Sequence, residues 1–162
     1  MMNKQIPDNI IKGLSLYFPG YEGFDFTDII MPEETIVLVE KAMLNASLVR
    51  EIMNGCGSKG AGEIVPDTLW GLRVTAICNI HDVTHYMSRT PDDCKKSNLL
   101  LLRNLTTFIN NNSANFVMRW ARRYRAMSYY SAVEEYKQQF CRGYHSDKED
   151  CLLYTSPSPR DS

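Results

Sequence analysis

Four stretches of this chain place apolar residues at the three- and four-residue spacing of an α-helix. No stretch alternates them as a half-buried strand does, so the sequence predicts a mainly α fold. The first helix is expected from Pro32 to about Met53. Proline suits a first turn, Glu33 and Glu34 suit the positive end of the helix dipole, and Ile36, Val39, Met43, Ala46, Val49 and Met53 trace one face. The second covers Arg73 to Met87, with Val74, Ile77, Cys78, His81 and His85 on one side. The third runs from about Asp93 to Asn110; Asn98, Leu102, Leu105 and Ile109 share a face, and Leu99 to Leu102 are expected to be buried on two sides. The fourth follows Ser113, read as its N-cap, to about Phe140 and turns Phe116, Trp120, Tyr124 and Met127 inward.

Around these helices the chain is punctuated by glycine and proline. Gly13, Pro19-Gly20, Gly23 and Pro32 make residues 1–32 an irregular lead. Asn54-Gly55-Cys56-Gly57-Ser58-Lys59-Gly60-Ala61-Gly62 holds four glycines in nine residues, a backbone that bends sharply or approaches something closely. Cys151 to Asp161 resembles the translation of a transposase sequencing adapter, and its Ser/Pro alternation offers nothing to pack. The expected organisation is therefore a lead (1–32), one helical domain (33–150) and a non-native tail (151–162), with the native chain truncated after about Asp150.

Composition narrows the class. With 44% hydrophobic and 23% charged residues and a net charge of −1, the 162 residues suit one globular core rather than a disordered tail or a solenoid. Near-neutral charge argues against nucleic acid as a partner, although Arg119, Arg122, Arg123 and Arg125 make one segment locally basic. No apolar run approaches the ~18 residues of a membrane span, and no secretory h-region opens the chain, so no transmembrane segment and cytoplasmic synthesis are expected. The four cysteines before the tail, Cys56, Cys78, Cys94 and Cys141, then give little reason to expect disulfides, and no C-x-x-C pair points to zinc.

His81-Asp82-Val83-Thr84-His85 is the densest polar cluster on an otherwise apolar helix. The bland reading is a buried histidine satisfied by a neighbour. A zinc hydrolase reading takes His81 and His85 at the spacing of H-E-x-x-H, but Asp82 is one methylene shorter than the expected glutamate, and His145 is the one histidine left for a third ligand. A third reading joins helix and loop. Backbone carbonyls of the glycine-rich loop and the Asp82 carboxylate are oxygen ligands suited to calcium, beside a histidine able to take a proton from water. The G-x-G-x-x-G match at Gly55 to Gly60 lacks a preceding strand, and no G-x-S-x-G or Walker A pattern is present. The Trp120, Tyr124, Met127 and Tyr130 stripe is read as core rather than as an acyl-chain site, and the arginines beside it as a solvated face.

Several segments together resemble the prokaryotic and phage-borne phospholipase A2-like proteins: Asn54 to Gly57, Val65 to Leu72, Ala76 to Asp82, Ser97-Asn98, and Arg122 to Val133. The C-x-x-H-D signature of Cys78 to Asp82 after an N-G-C-G loop is the most specific part. The resemblance implies a small helical domain with a glycine-rich calcium loop, acting on phospholipid at a membrane surface. It implies that His81 activates water against the sn-2 ester, that Asp82 holds calcium together with Asn54, Gly55 and Gly57, and that Cys56 and Cys78 form the bridge tethering loop to helix. Such a bridge would need an oxidising destination outside the cytoplasm. Asn98 stands where the family places an aspartate that orients the histidine by accepting its Nδ1 proton. Asn54 stands near an aspartate ligand of some relatives, and His85 where a tyrosine is usual. An amide at position 98 accepts a hydrogen bond but carries no charge to stabilise an imidazolium. The alternative is therefore a catalytically impaired scaffold serving as a lipid-binding or interaction module.

Overall fold

The structure, a computed structural model, describes residues 3–17, 25–53 and 68–145. Among them the elements run β1 (Asn3–Gln5), α1 (Asp8–Tyr17), β2 (Ile30–Pro32), α2 (Glu33–Ala42), α3 (Ala46–Ile52), β3 (Thr68–Leu69), β4 (Leu72–Arg73), α4 (Thr75–Met87), α5 (Pro91–Asn112) and α6 (Phe116–Phe140). A short 3-10 helix, Arg142–Tyr144, follows. The fold is mainly α, as the periodicity predicts, with four short strands that it does not predict.

The first expected helix is two. Asn45 sits in extended backbone, and its side-chain oxygen accepts from the backbone N–H of Ser47 at 3.1 Å and of Leu48 at 3.3 Å. An asparagine able to cap competes with the continuing helix, so α2 ends and α3 begins anew. The expected apolar face survives the break in part: Ile36, Val39, Val49 and Met53 are buried, joined by Ala42 and Ile52, while Met43 and Ala46 are half-buried.

The lead is not irregular throughout. Strands β1 and β2 pair antiparallel, Asn3 opposite Pro32 and Gln5 opposite Ile30, and Ile6, Ile10, Ile29 and Met31 enter the core. Asn104 of α5, fully buried, holds β2 from its other side. Its Nδ2 donates to the Ile30 carbonyl at 2.8 Å, and its Oδ1 accepts from the Ile30 N–H at 3.2 Å. One side-chain amide thus satisfies both polar groups of a strand residue that has no second strand beside it among the described residues.

Helices α4, α5 and α6 pack in succession and carry the site. α5 opens with a capping box: Thr90 Oγ1 accepts from Asp93 N, the Asp93 carboxylate accepts from Thr90 N, and Pro91 occupies the first turn. Of its expected face Asn98, Leu105 and Ile109 are buried and Leu102 is half-buried. Leu99, however, faces solvent while Leu101 is buried, so the leucine run is covered on one side, as a single helix packed on a core requires. α6 is capped by Asn115, whose oxygen accepts from Met118 N at 2.8 Å; Ser113 instead closes α5 and accepts from Arg122 Nη1 at 3.1 Å.

The inward face of α6 is also corrected. Ala126 and Tyr129 are buried, and Phe116, Trp120, Tyr124 and Met127 point outward. Aromatic residues lie on both sides of this helix, so periodicity does not choose between them. Polar tips do: Tyr129 Oη donates to the Thr68 carbonyl at 3.0 Å, and Arg122 donates to the carbonyls of Asn112 and Trp70 at 3.2 and 3.1 Å. These bonds clamp the β3–β4 hairpin, whose turn residues Trp70 and Gly71 have φ of 47° and 81°. A positive φ at tryptophan is strained, and Arg125 stacked 5.1 Å over the Trp70 ring helps hold it there.

Cys94 and Cys141 form a disulfide that joins the start of α5 to the residue after α6, and Cys78 is disulfide-bonded as well. The expectation of reduced thiols is thereby corrected, because the packing of α5 against the end of α6 brings together cysteines 47 positions apart. Gly143 lies tight against the bridge: a Cβ there would fall 2.2 Å from the Thr90 carbonyl oxygen and 2.7 Å from Cys94 Sγ. Replacing both Cys94 and Cys141 by serine is expected to lower unfolding free energy by about 2–4 kcal/mol in denaturant titration. An unchanged midpoint would show that the bridge does not constrain the chain.

Candidate active site

α4 presents His81 and His85 one turn apart on its inner side, among Ile77, Cys78 and Thr84. Ser88, Arg89 and Thr90 connect it to α5, and this short link lays the two helices side by side. Below the histidines, Thr84 Oγ1 bonds the His81 carbonyl at 2.9 Å and also meets the Ser97 hydroxyl, which pins α4 to α5.

The centre of the site is Asn98. Its Oδ1 lies 2.7 Å from Nε2 of His81 and 2.7 Å from Nε2 of His85, and the two imidazole centroids are 3.9 Å apart. Its Nδ2 donates to Glu134 Oε2 at 3.0 Å and to the Val133 carbonyl at 3.4 Å, both on α6. That second pair of contacts fixes the amide. Turning it over would set Oδ1 against a carboxylate and a carbonyl, three acceptors with no proton among them. With Oδ1 facing the histidines, both Nε2 atoms must carry the hydrogen, and in each neutral ring Nδ1 holds the lone pair.

This reverses one expectation. Asn98 takes its hydrogen bond from Nε2 of His81, not Nδ1. Nε2 is the tip of the side chain, and the tip is what crosses the gap between α4 and α5. The basic nitrogen is therefore Nδ1.

The electrostatics favour neutral rings. Burial pushes His81 well below the ordinary imidazole value, the adjacent His85 pushes the same way, and the Asn98 bond opposes them. Burial also lowers His85, against the Asn98 bond and the Glu134 charge. Burial raises Glu134, but hydrogen bonds from Lys137 and Asn98, the Lys137 charge and the Tyr130 hydroxyl outweigh it and bring the carboxyl below its usual range. Glu134 meets Lys137 Nζ at 3.0 Å and accepts from Tyr130 Oη at 3.2 Å. The result is two neutral imidazoles, one shared amide and an ionised carboxylate behind it.

Sequence patterning alone does not single out Glu134. Its signal was the Tyr130–Glu134–Lys137 spacing, which places three polar side chains on one face of α6. Asp82 is half-buried on α4, next in sequence to His81. Asn54, Gly55, Cys56 and Gly57 lie outside the described residues, as does the proposed partner of Cys78. Among the described residues no three His, Cys, Asp or Glu side chains gather as a metal cage. For calcium, Asp82 offers the hard oxygen such an ion takes; for zinc, the Nε2 atoms of His81 and His85 both face an amide oxygen.

No protein-family model, no curated protein and no solved structure matches the chain. Fold and site define a mainly α protein with a hydrogen-bonded His–His–Asn–Glu centre. The arrangement can accept a proton at Nδ1 while Asn98 holds the opposite edge of each ring.

The depressed histidine values have a thermodynamic consequence. As pH falls below about 6.5 the unfolded chain takes up protons that the folded-state rings, His81 buried and His85 half-buried, take up less readily, so stability declines from there toward the lower folded-state values and is fully present above. The melting temperature should fall between pH 7 and 5.5, and less steeply in His85→Gln. Identical slopes in the two proteins would show that His85 titrates in the folded state as it does in the unfolded chain.

Proposed function

We propose that this chain is a calcium-dependent phospholipase A2-like hydrolase in which His81 activates water against the sn-2 ester of a phospholipid. The observation that carries the reading is the neutral His81, fixed by Asn98 with Nε2 protonated and with Asp82 as its neighbour in sequence. Nδ1 accepts a proton from water as the water oxygen attacks the ester carbonyl, and the resulting imidazolium returns that proton to the leaving alkoxide. Asn98 keeps the ring oriented through both steps. Glu134, polarising the amide through Nδ2, supplies negative charge that an amide alone lacks. Asp82 with Asn54, Gly55 and Gly57 would hold a calcium ion, which would supply positive charge for the oxyanion. The Cys94–Cys141 disulfide suits release to an oxidising site outside the cytoplasm.

The amide at position 98 also supports a second reading, a scaffold retained for lipid binding without turnover. The test is fatty-acid release from mixed phospholipid vesicles, with calcium and then with chelator. Release that requires calcium and falls about 10²–10⁴-fold in His81→Gln is expected. Absence of release from folded protein would support the scaffold, and release restored by zinc but not calcium would support a zinc hydrolase using His81 and His85. Asn98→Asp adds a second axis: a working enzyme changes in rate, whereas an inert scaffold changes only in stability.

A further inference from the structure

The outer face of α6 carries five large apolar side chains in solvent: Phe116 is 77% exposed, Val117 70%, Trp120 63%, Tyr124 68% and Met127 50%. At 100° per residue they fall within about 100° of arc, and at 1.5 Å per residue they span roughly 16 Å, opposite the buried Ala126 and Tyr129. The Trp120 and Tyr124 rings stack with centroids 6.1 Å apart. Scattered exposed apolar residues need no explanation, but a continuous stripe does.

Charge identifies the occupant. From Phe116 to Val133 the helix has four arginines and no acid, and none of the four forms an ion pair among the described residues. Arg119 and Arg123 run along one edge of the stripe, and Arg125, over the half-exposed ring of Trp70, extends the other. A second copy docked face to face would set these cations against their own kind, which disfavours a symmetric dimer. Aromatic side chains with an apolar body and a polar edge, flanked by arginine, instead match the boundary layer of an anionic bilayer.

We propose that the outer face of α6 is a docking surface for anionic lipid membranes, with Trp120 and Tyr124 entering the headgroup region and Arg119 and Arg123 pairing with headgroup charge. The proposal stands on this stripe and does not depend on hydrolysis. It does place the membrane near the histidines, since Glu134 lies seven residues, about 10 Å, beyond Met127 on the same helix.

The experiment uses the full chain carrying Trp70→Phe, which leaves Trp120 as its single tryptophan, and His81→Gln, so that turnover plays no part. Flotation and tryptophan emission are followed with phosphatidylglycerol/phosphatidylcholine vesicles and with phosphatidylcholine vesicles alone. Partitioning to the anionic vesicles, a blue shift of Trp120 and weakening by salt are expected. Partitioning should drop about tenfold or more in Trp120→Ser/Tyr124→Ser and again in Arg119→Gln/Arg123→Gln. These side chains lie on the outer face or its edge, and circular dichroism confirms that each variant is folded. Absence of partitioning, partitioning indifferent to both double variants, or self-association through the stripe without vesicle binding would each overturn the proposal. Hydrolysis of dispersed short-chain phospholipid by the wild type separates the two readings. Hydrolysis without vesicle binding overturns the docking face alone, and vesicle binding without hydrolysis overturns the enzyme alone.

Discussion

One carbonyl oxygen, Oδ1 of Asn98, accepts from two imidazoles, and the three helices of the site are arranged around it. The side chain is fully buried, and every polar atom on it is used: α4 supplies both N–H donors, while α6 supplies both acceptors for Nδ2. Buried amides are stabilising when fully satisfied and destabilising when one partner is missing. Asn98 therefore both locks α4, α5 and α6 together and sets the chemistry of the histidines, and the same bonds do both.

The covalent framework reinforces that centre. Cys94 lies one helical turn before Asn98 on α5, and Cys141 follows the helix that carries Glu134. The bridge thus fixes the spacing between the amide and the carboxylate that orients it. Gly143, with no room for a Cβ beside Thr90 and Cys94, lets the chain return close enough for the bridge to form. A rigid frame matters here because an amide oriented by two acceptors on a neighbouring helix loses its direction if that helix drifts.

Much of this was legible in the sequence, and the exceptions share a cause. The helical segments, the inward placement of Ile77, Cys78 and His81, and the shared face of Asn98, Leu105 and Ile109 follow from local periodicity, which one sequence displays. The break at Asn45 was hidden because apolar spacing continues through it, and only the capping side chain ends the helix. The β1–β2 pair was hidden because its stability comes from Asn104, far away in sequence. Glu134, the Cys94–Cys141 pairing and the outward turn of Trp120 likewise depend on which helices become neighbours. The choice of ring nitrogen facing Asn98 was decided by the gap between two helices, a quantity no spacing rule contains.

The most direct test is long-range ¹⁵N–¹H correlation of the imidazole nitrogens in the folded wild-type protein, at a pH where both rings are neutral. The expected result is a proton on Nε2 of both His81 and His85, with each Nδ1 showing the shift of an unprotonated nitrogen. A proton on Nδ1 of His81 would contradict it, because Asn98 would then not be the shared acceptor on which both the packing and the proposed chemistry rest.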